Sequence, residues 1–232
     1  MSRGWLVVFA KAPRPGLVKT RMSPPLSLDE AALLYGEMLA DVLAASARFA
    51  SQLDLEPVVA FHPADAAREL VHRAPPGFRL QAQHGRDLGE RMARACREAA
   101  AAGVDRILIR GSDSPALGIE PFEQTLARID SGDDLVLTPD QDGGYAMIGL
   151  RTPDSRLFQI TMSTASVLDD TLARAAALGL RASTTDPAFD LDTVADLWRF
   201  RAWLRERPAP VASDLCPRTL EALDSLPELL AR

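Results

Sequence analysis

Of the 26 Lys and Arg residues in the chain, Lys11 and Lys19 alone are lysines, and both stand in one short loop, Lys11-Ala-Pro-Arg-Pro-Gly-Leu-Val-Lys19-Thr-Arg21. A composition that drifts to arginine wherever a generic positive charge suffices makes a retained lysine informative, because Lys is a compact point charge and Arg a rigid fork. The first 28 residues carry five cations and no carboxylate, in a protein of formal net charge -6. That local reversal of sign predicts a site for an anion. Pro13 and Pro15 stiffen the loop, Gly16 permits a close approach, and Lys19, Thr20 and Arg21 offer charged and hydroxyl donors to phosphate oxygens. A solvated basic surface loop is the plainer alternative.

The acids fall in three further clusters. Gly111-Ser-Asp113-Ser-Pro115 follows the apolar run 106–110, and a carboxylate at a strand exit suits a hard cation such as Mg²⁺ or Mn²⁺ that bridges to substrate phosphates; it suits a helix N-cap equally. In Phe189-Asp190-Leu-Asp192-Thr193 one aspartate is expected to cap the following helix and the other to complete a metal site with Asp113. Thr138-Pro-Asp140-Gln-Asp142-Gly143-Gly144-Tyr145 reads as a tight turn, and its glycines also expose backbone amides beside a carboxylate. Gly85-Arg-Asp87-Leu88-Gly89-Glu-Arg91 opens a helix whose N-terminus can receive part of a nucleotide, with Asp87 as cap.

Other chemistries lack their residues. His62, His72 and His84 form no zinc spacing with one another or with the cysteines. G-x-x-x-x-G-K-[ST], G-x-G-x-x-G and G-x-S-x-G are all missing. A pI near 5.1 argues against nucleic-acid binding. Cys96 and Cys216 read as free thiols in a reducing compartment. With no apolar stretch of about 18 residues and no secretory pattern, the expectation is a cytoplasmic protein with no membrane partner.

The elements that must position these residues alternate in type. Strand-like runs lie at 5–10, 57–61, 79–83, 106–110, 135–138 and 146–150. Helical patterns lie at 29–50, 64–73, 88–102, 119–130, 165–178 and 193–206. Such alternation predicts an α/β fold with a mostly parallel sheet flanked by helices and ligands at the carboxyl ends of its strands. We expect one domain over 1–207 and a tail over 208–232 carrying a packed helix from Pro217 to Leu230.

The segments Phe9–Arg21, Asp87–Met92, Gly111–Leu117, Asp142–Leu150 and Asp190–Thr193 resemble, in order, the motifs of the radical-SAM/selenodomain-associated transferases, a family provisionally classed as glycosyltransferases and associated in some genomes with arsenosugar synthesis. The resemblance covers about residues 6–200. It implies a single-domain nucleotide-diphospho-sugar transferase (GT-A-like) fold with a mixed, mostly parallel sheet, shared with molybdenum-cofactor and phospholactate guanylyltransferases. It implies that Lys11, Gly16, Lys19, Thr20 and Arg21 form a phosphate-binding loop, that Leu88, Gly89 and Arg91 lie near base and ribose, and that Asp113 and Asp192 hold the metal. Asp142, Gly143, Gly144 and Tyr145 fall on the acceptor side, with Lys19, Arg21 and Asp142 catalytic. The chain departs from the family at Thr161-Met162-Ser163-Thr164, where members carry Trp-Ser-Thr.

The expected activity is metal-dependent glycosyl transfer from a nucleotide-sugar to a small-molecule acceptor. A nucleotidyltransferase, moving a guanylyl or cytidylyl group from a nucleoside triphosphate to a phosphorylated small molecule, is the alternative. A nucleotide-binding regulator without catalysis is the third reading.

Overall fold

In the computed structural model, residues 4–205 and 214–226 are described. The strands are β1 (Gly4–Lys11), β2 (Leu55–His62), β3 (Arg79–Ala82), β4 (Arg106–Arg110), β5 (Leu135–Pro139), β6 (Tyr145–Leu150) and β7 (Ala182–Thr184). They form one sheet in the order β3-β2-β1-β4-β6-β5-β7. β1 is central because its Trp5, Leu6, Val7 and Val8 are apolar on both faces. It pairs in parallel with β2 (Val7↔Val58) and β4 (Val7↔Ile109). β6 runs antiparallel to both β4 and β5, which makes the sheet mixed.

The helices are α1 (Leu28–Gln52), α2 (Ala67–Val71), α3 (Leu88–Ala101), α4 (Glu120–Asp130), α5 (Val167–Ala177), α6 (Val194–Arg205) and α7 (Pro217–Asp224). Alternation along β1 divides them between two layers. Trp5 and Val7 join Met92 and Cys96 of α3, Phe158, and Ala175 of α5 on one face. Leu6 and Val8 face Phe49, Leu39 and Val42 of α1 and Phe122 of α4 on the other. Each such large side chain taken fully from water contributes roughly 1.5–3 kcal/mol before ordering costs. α1 starts at a capping box, Ser27 with Glu30. Its far face meets α6 and α7 through Leu34, Met38, Phe200 and Leu223. Gly149 permits the close approach of α4, since a Cβ there would overlap the Thr125 methyl.

Three expectations are corrected. The helix expected over 64–73 is a 3₁₀ turn at Ala64–Ala66 followed by one helical turn and a half in α2. β7 has no counterpart among the expected strands; its residues Ala182, Ser183 and Thr184 are small and form no apolar run. The tail helix ends at Asp224, and residues 227–230 of the expected span, like 206–213, lie outside the described residues. Cys96 and Cys216 are both buried thiols. No helix among the described residues is long and apolar enough to cross a membrane.

The topology fixes where a site can form. β1 and β4 end at the same edge, and because β6 is antiparallel, with Arg110 opposite Met147, the turn 140–144 that precedes β6 lies at that edge too.

Candidate active site

The cationic loop folds over this edge. Ala12 N–H donates to the His62 carbonyl at 2.7 Å, and Leu17 N–H donates to the Arg14 carbonyl at 3.0 Å across Gly16, whose φ of 77° is in the left-handed region. Arg14 turns outward to Asp65 at 3.2 Å and Glu69 at 2.5 Å. Lys19, also left-handed at φ 47°, turns inward. Its side chain is only 4 % exposed, so the surface-loop alternative fails for this residue. The ammonium donates to Asp192 Oδ1 at 2.7 Å and to Asp113 Oδ1 in a second, shorter contact. Burial alone would lower the Lys19 pKa, but the two carboxylates outweigh it and the net shift is upward, so Lys19 is charged. Arg21 lies 3.6 Å from Asp192 Oδ2.

Buried polar groups hold the two aspartates in place. The Arg110 guanidinium, with β4's apolar neighbours around it, donates to the Ser114 carbonyl at 2.7 Å and the Gly111 carbonyl at 3.2 Å, which sets the loop that carries Asp113. Burial pulls its pKa down to about 10. Leu191 N–H donates to the Asp113 carbonyl at 2.9 Å, tying the segment of Asp192 to the same loop. The Tyr35 hydroxyl accepts from Lys11 N–H at 2.9 Å and lies 2.8 Å from Ser112 Oγ; burial pushes its pKa up to about 12.

Neither aspartate of the Asp190-Leu-Asp192 cluster caps α6. Thr193 and Asp196 do so reciprocally: Asp196 Oδ2 accepts from Thr193 N–H at 2.7 Å, and Thr193 Oγ1 from Asp196 N–H at 3.3 Å. Asp190 instead accepts from the Ser114 hydroxyl. Burial, with smaller additions from Asp113, Asp140 and Asp192, pushes its carboxyl up to about 7.

Asp113 and Asp192 thus turn one oxygen each toward a single cationic atom. Two hard oxygen ligands match the way Mg²⁺ is held, by one or two carboxylates plus substrate phosphates. No group of three or more His, Cys, Asp or Glu among the described residues has the arrangement of a metal site, so the protein's share would be these two ligands.

The cleft has two chambers. The first, about 510 Å³, is lined by Lys11, Lys19, Thr20, Gln83, Arg91 and Asp113. The second, about 620 Å³, is lined by Met92, Ile109, Met162, Val167, Asp140 and Asp142. Arg21, Leu88, Tyr145 and Asp192 border both. In the turn at 140–144, Asp140 Oδ1 accepts from Asp142 N–H at 2.9 Å and Gly144 N–H at 2.7 Å, which presents Asp142 to the second chamber.

Among the sequence-selected residues, Gly16, Gly89 and Gly143 do not line either chamber. Gly16 forms the loop's turn. Gly89 lets α3, capped by Asp87, pack on the Phe158 carbonyl, which a Cβ would approach to 2.9 Å. Gly143 has φ 82°, and its missing Cβ would overlap the Ala165 carbonyl. Sequence reasoning missed Tyr35, Arg110 and Ser112. Tyr35 sits within an apolar helix pattern and gives no signal, but Arg110 is a charge ending a buried strand, which is one.

The model of a family described as an uncharacterized protein conserved in bacteria (DUF2064) matches residues 45–164. No curated protein sequence matches the chain. Among solved structures, a protein from Desulfovibrio desulfuricans G20, provisionally called a nucleotide-diphospho-sugar transferase, is similar at 30% identity over 97% of this chain and 96% of that one, with a TM-score of 0.84. A cytidylyltransferase from Leptospira borgpetersenii serovar Hardjo-bovis shares 10% identity over 99% and 97% of the two chains, TM-score 0.56. A 4-diphosphocytidyl-2C-methyl-D-erythritol synthase shares 14% over 88% and 99%, TM-score 0.58. These last two show a common fold.

Proposed function

Because the chain belongs to the bacterial family DUF2064 and folds a lysine loop onto paired aspartates, we propose that it is a metal-dependent glycosyltransferase that moves a sugar from a nucleotide-diphospho-sugar to a small acceptor. The observation that carries this reading is the convergence of Lys19, Asp113 and Asp192 at the junction of a cationic chamber and a more apolar one. The provisional name of the similar Desulfovibrio protein and the resemblance to the radical-SAM/selenodomain-associated transferases support the same chemistry. Buried cysteine thiols at Cys96 and Cys216 suit a cytoplasmic location.

In this mechanism Lys11, Lys19, Thr20 and Arg21 bind the donor's diphosphate, and Leu88 and Arg91 lie along its nucleoside. Mg²⁺ or Mn²⁺, held by Asp113 and Asp192, supplies further positive charge to the diphosphate when bound. The acceptor hydroxyl oxygen bonds to the anomeric carbon as the bond from that carbon to the diphosphate oxygen breaks. The electron pair leaves with the nucleoside diphosphate, whose growing charge Lys19 and Arg21 stabilise, and the hydroxyl proton passes to the Asp142 carboxylate.

The test is a thermal-shift panel of nucleotide-sugars and nucleoside triphosphates, each with and without Mg²⁺ or Mn²⁺. A metal-dependent shift with one nucleotide-sugar, lost in Asp113→Asn, is expected. Wild-type turnover by Asp113→Asn would overturn the assignment.

Nucleotidyl transfer is the second reading, favoured by the four cations Lys11, Lys19, Arg21 and Arg91 in one chamber and by the cytidylyltransferase likeness in fold. Pyrophosphate release from a nucleoside triphosphate and a phosphorylated acceptor would establish it.

A further inference from the structure

The two chambers differ in the cations that line them. The first chamber carries Lys11, Lys19, Arg21 and Arg91 beside Asp113, Asp190 and Asp192. The second has Asp140, Asp142 and the shared Asp192 on its wall, and of the first chamber's four cations it borders only Arg21. Arg110 also borders it, but that guanidinium is buried and points into the protein, toward Ser46 Oγ at 3.4 Å and the Ser114 carbonyl at 2.7 Å. Arg21 in turn lies 3.6 Å from Asp192. A phosphate placed there would face the carboxylates of Asp140 and Asp142, with Arg21 already engaged by Asp192. Like charges brought together in a partly enclosed site cost several kcal/mol, so phosphorylated compounds are repelled by the wall itself.

The rest of that wall is apolar. Leu88, Met92, Ile109, Met162 and Val167 face a cavity of about 620 Å³. Two of these are methionines, whose unbranched, polarizable side chains adapt to a flat ring or an alkyl group. Ser163 and Thr164 add hydroxyls along the same edge.

We infer that the second chamber binds an uncharged, hydroxyl-bearing acceptor with an aromatic or alkyl face, its hydroxyl toward Asp142 and its apolar face against Met92 and Met162, and that it excludes phosphorylated acceptors. The inference rests on the donor occupying the lysine chamber. Within that reading it names what the transferred group is moved onto, and it separates glycosyl transfer to a neutral hydroxyl from nucleotidyl transfer to a phosphate.

The experiment uses the full chain labelled with ¹³C at its methionine methyls, six in all. The Met92 and Met162 signals are assigned from Met92→Leu and Met162→Leu. Phenyl β-D-glucopyranoside and its 6-phosphate are titrated in parallel at fixed ionic strength. The expected result is saturable movement of both signals by the neutral glycoside at concentrations about tenfold or more below those needed for the phosphate. In Asp142→Lys, confirmed folded by its melting curve, that preference narrows or reverses. Equal or tighter binding of the phosphate, no movement of either methyl by the neutral glycoside, or an unchanged preference in Asp142→Lys would each overturn the inference. Failure of the donor reading shows elsewhere, as the lack of any nucleotide-induced thermal shift that Lys19→Ala removes.

Discussion

Lys19 Nζ and Asp192 Oδ1 are 2.7 Å apart although 173 residues separate them in the chain. That contact joins the loop after the first strand to the segment before α6, so the site closes only when both ends of the domain are in place. Lys19 also explains its own chemistry. An ammonium on a slim stem fits between two carboxylates with its side chain 4 % exposed, where a planar guanidinium would have to displace one of them.

Lys19→Met should therefore damage both stability and activity. Removing one partner of a buried pair costs about 3–5 kcal/mol. The Asp113 and Asp192 side chains are 39% and 36% exposed, so water screens part of that loss and about 1–3 kcal/mol remains. We expect Tm to fall by roughly 3–10 °C and transfer to fall about 10²–10³-fold. Mg²⁺ should raise the variant's Tm more than it raises the wild type's, and Lys19→Arg should not restore activity. A Lys19→Met protein with unchanged melting and turnover would remove Lys19 from the site.

Gly143→Ala tests the turn that presents Asp142. At φ 82° a side chain is strained, and a Cβ would overlap the Ala165 carbonyl, which is backbone and cannot swing away. The turn and the segment at 165 must separate, and the hydrogen bond from Leu168 N–H to the Gly143 carbonyl at 3.0 Å goes with them. With the donor in the lysine chamber as proposed, acceptor KM and kcat should worsen together while nucleotide affinity holds. Equal loss of nucleotide binding would show that the turn shapes both chambers.

These residues also show how far the sequence could be read. The lysine loop was legible because lysine is rare in an arginine-rich chain, and the sheet because its strands are near-continuous apolar runs. β7 was not legible: Ala182–Thr184 is held at the edge by pairing with β5 and by neighbouring charges, with no apolar pattern of its own. The division of labour near Asp190 was equally hidden. Three acids within seven residues, at 190, 192 and 196, bind a serine, a lysine and a helix end respectively. Asp196 pairs locally with Thr193, but the partners of Asp190 and Asp192, Ser114 and Lys19, come from the loops after β4 and β1, which local spacing does not encode.

Charges at that β7 edge contribute to the acid limit of stability. Asp133 accepts from Ser183 Oγ at 2.6 Å and Arg181 Nε at 2.8 Å; Asp134 accepts from Arg181 N–H at 2.9 Å and from the Arg151 guanidinium. The Ser183 and Arg181 bonds hold the Asp133 carboxyl below its ordinary range, and the Arg181 amide and Arg151 do the same for Asp134. Depressed folded-state values mean the unfolded chain binds these protons first as pH falls. The stabilisation is therefore complete above the ordinary carboxylate value of about 3.9 and is lost as pH drops through the lower folded values. Melting curves of wild type and Asp133→Asn/Asp134→Asn should converge at the acid end and separate above it. Parallel curves would assign the acid limb to other carboxylates.

Asp41 does comparable work at the opposite end of the chain. It lies on α1 and is buried, yet it points its carboxylate at the start of α7: Thr219 N–H donates to Oδ2 at 2.7 Å, Thr219 Oγ1 at 2.8 Å, and Arg218 N–H reaches Oδ1 at 3.3 Å. Cys216, the residue before the helix, supplies no side-chain cap, so a carboxylate from another helix satisfies the open N–H groups and complements the helix dipole. Burial raises the Asp41 pKa by more than the hydrogen bonds from Thr219 and Arg218 lower it. Asp41→Ala strips three bonds at once and leaves buried donors unsatisfied, a loss of about 1–3 kcal/mol. The packing of Ala222, Leu223 and Leu226 on Leu34 and Met38 depends on that anchor. We expect the variant to expose the α7 segment to protease well below the temperature at which the sheet melts, with nucleotide binding retained at low temperature. Asp41→Asn, which keeps an acceptor oxygen for Thr219, should recover much of the loss; if it does not, the charge rather than the hydrogen bonds fixes α7 to α1.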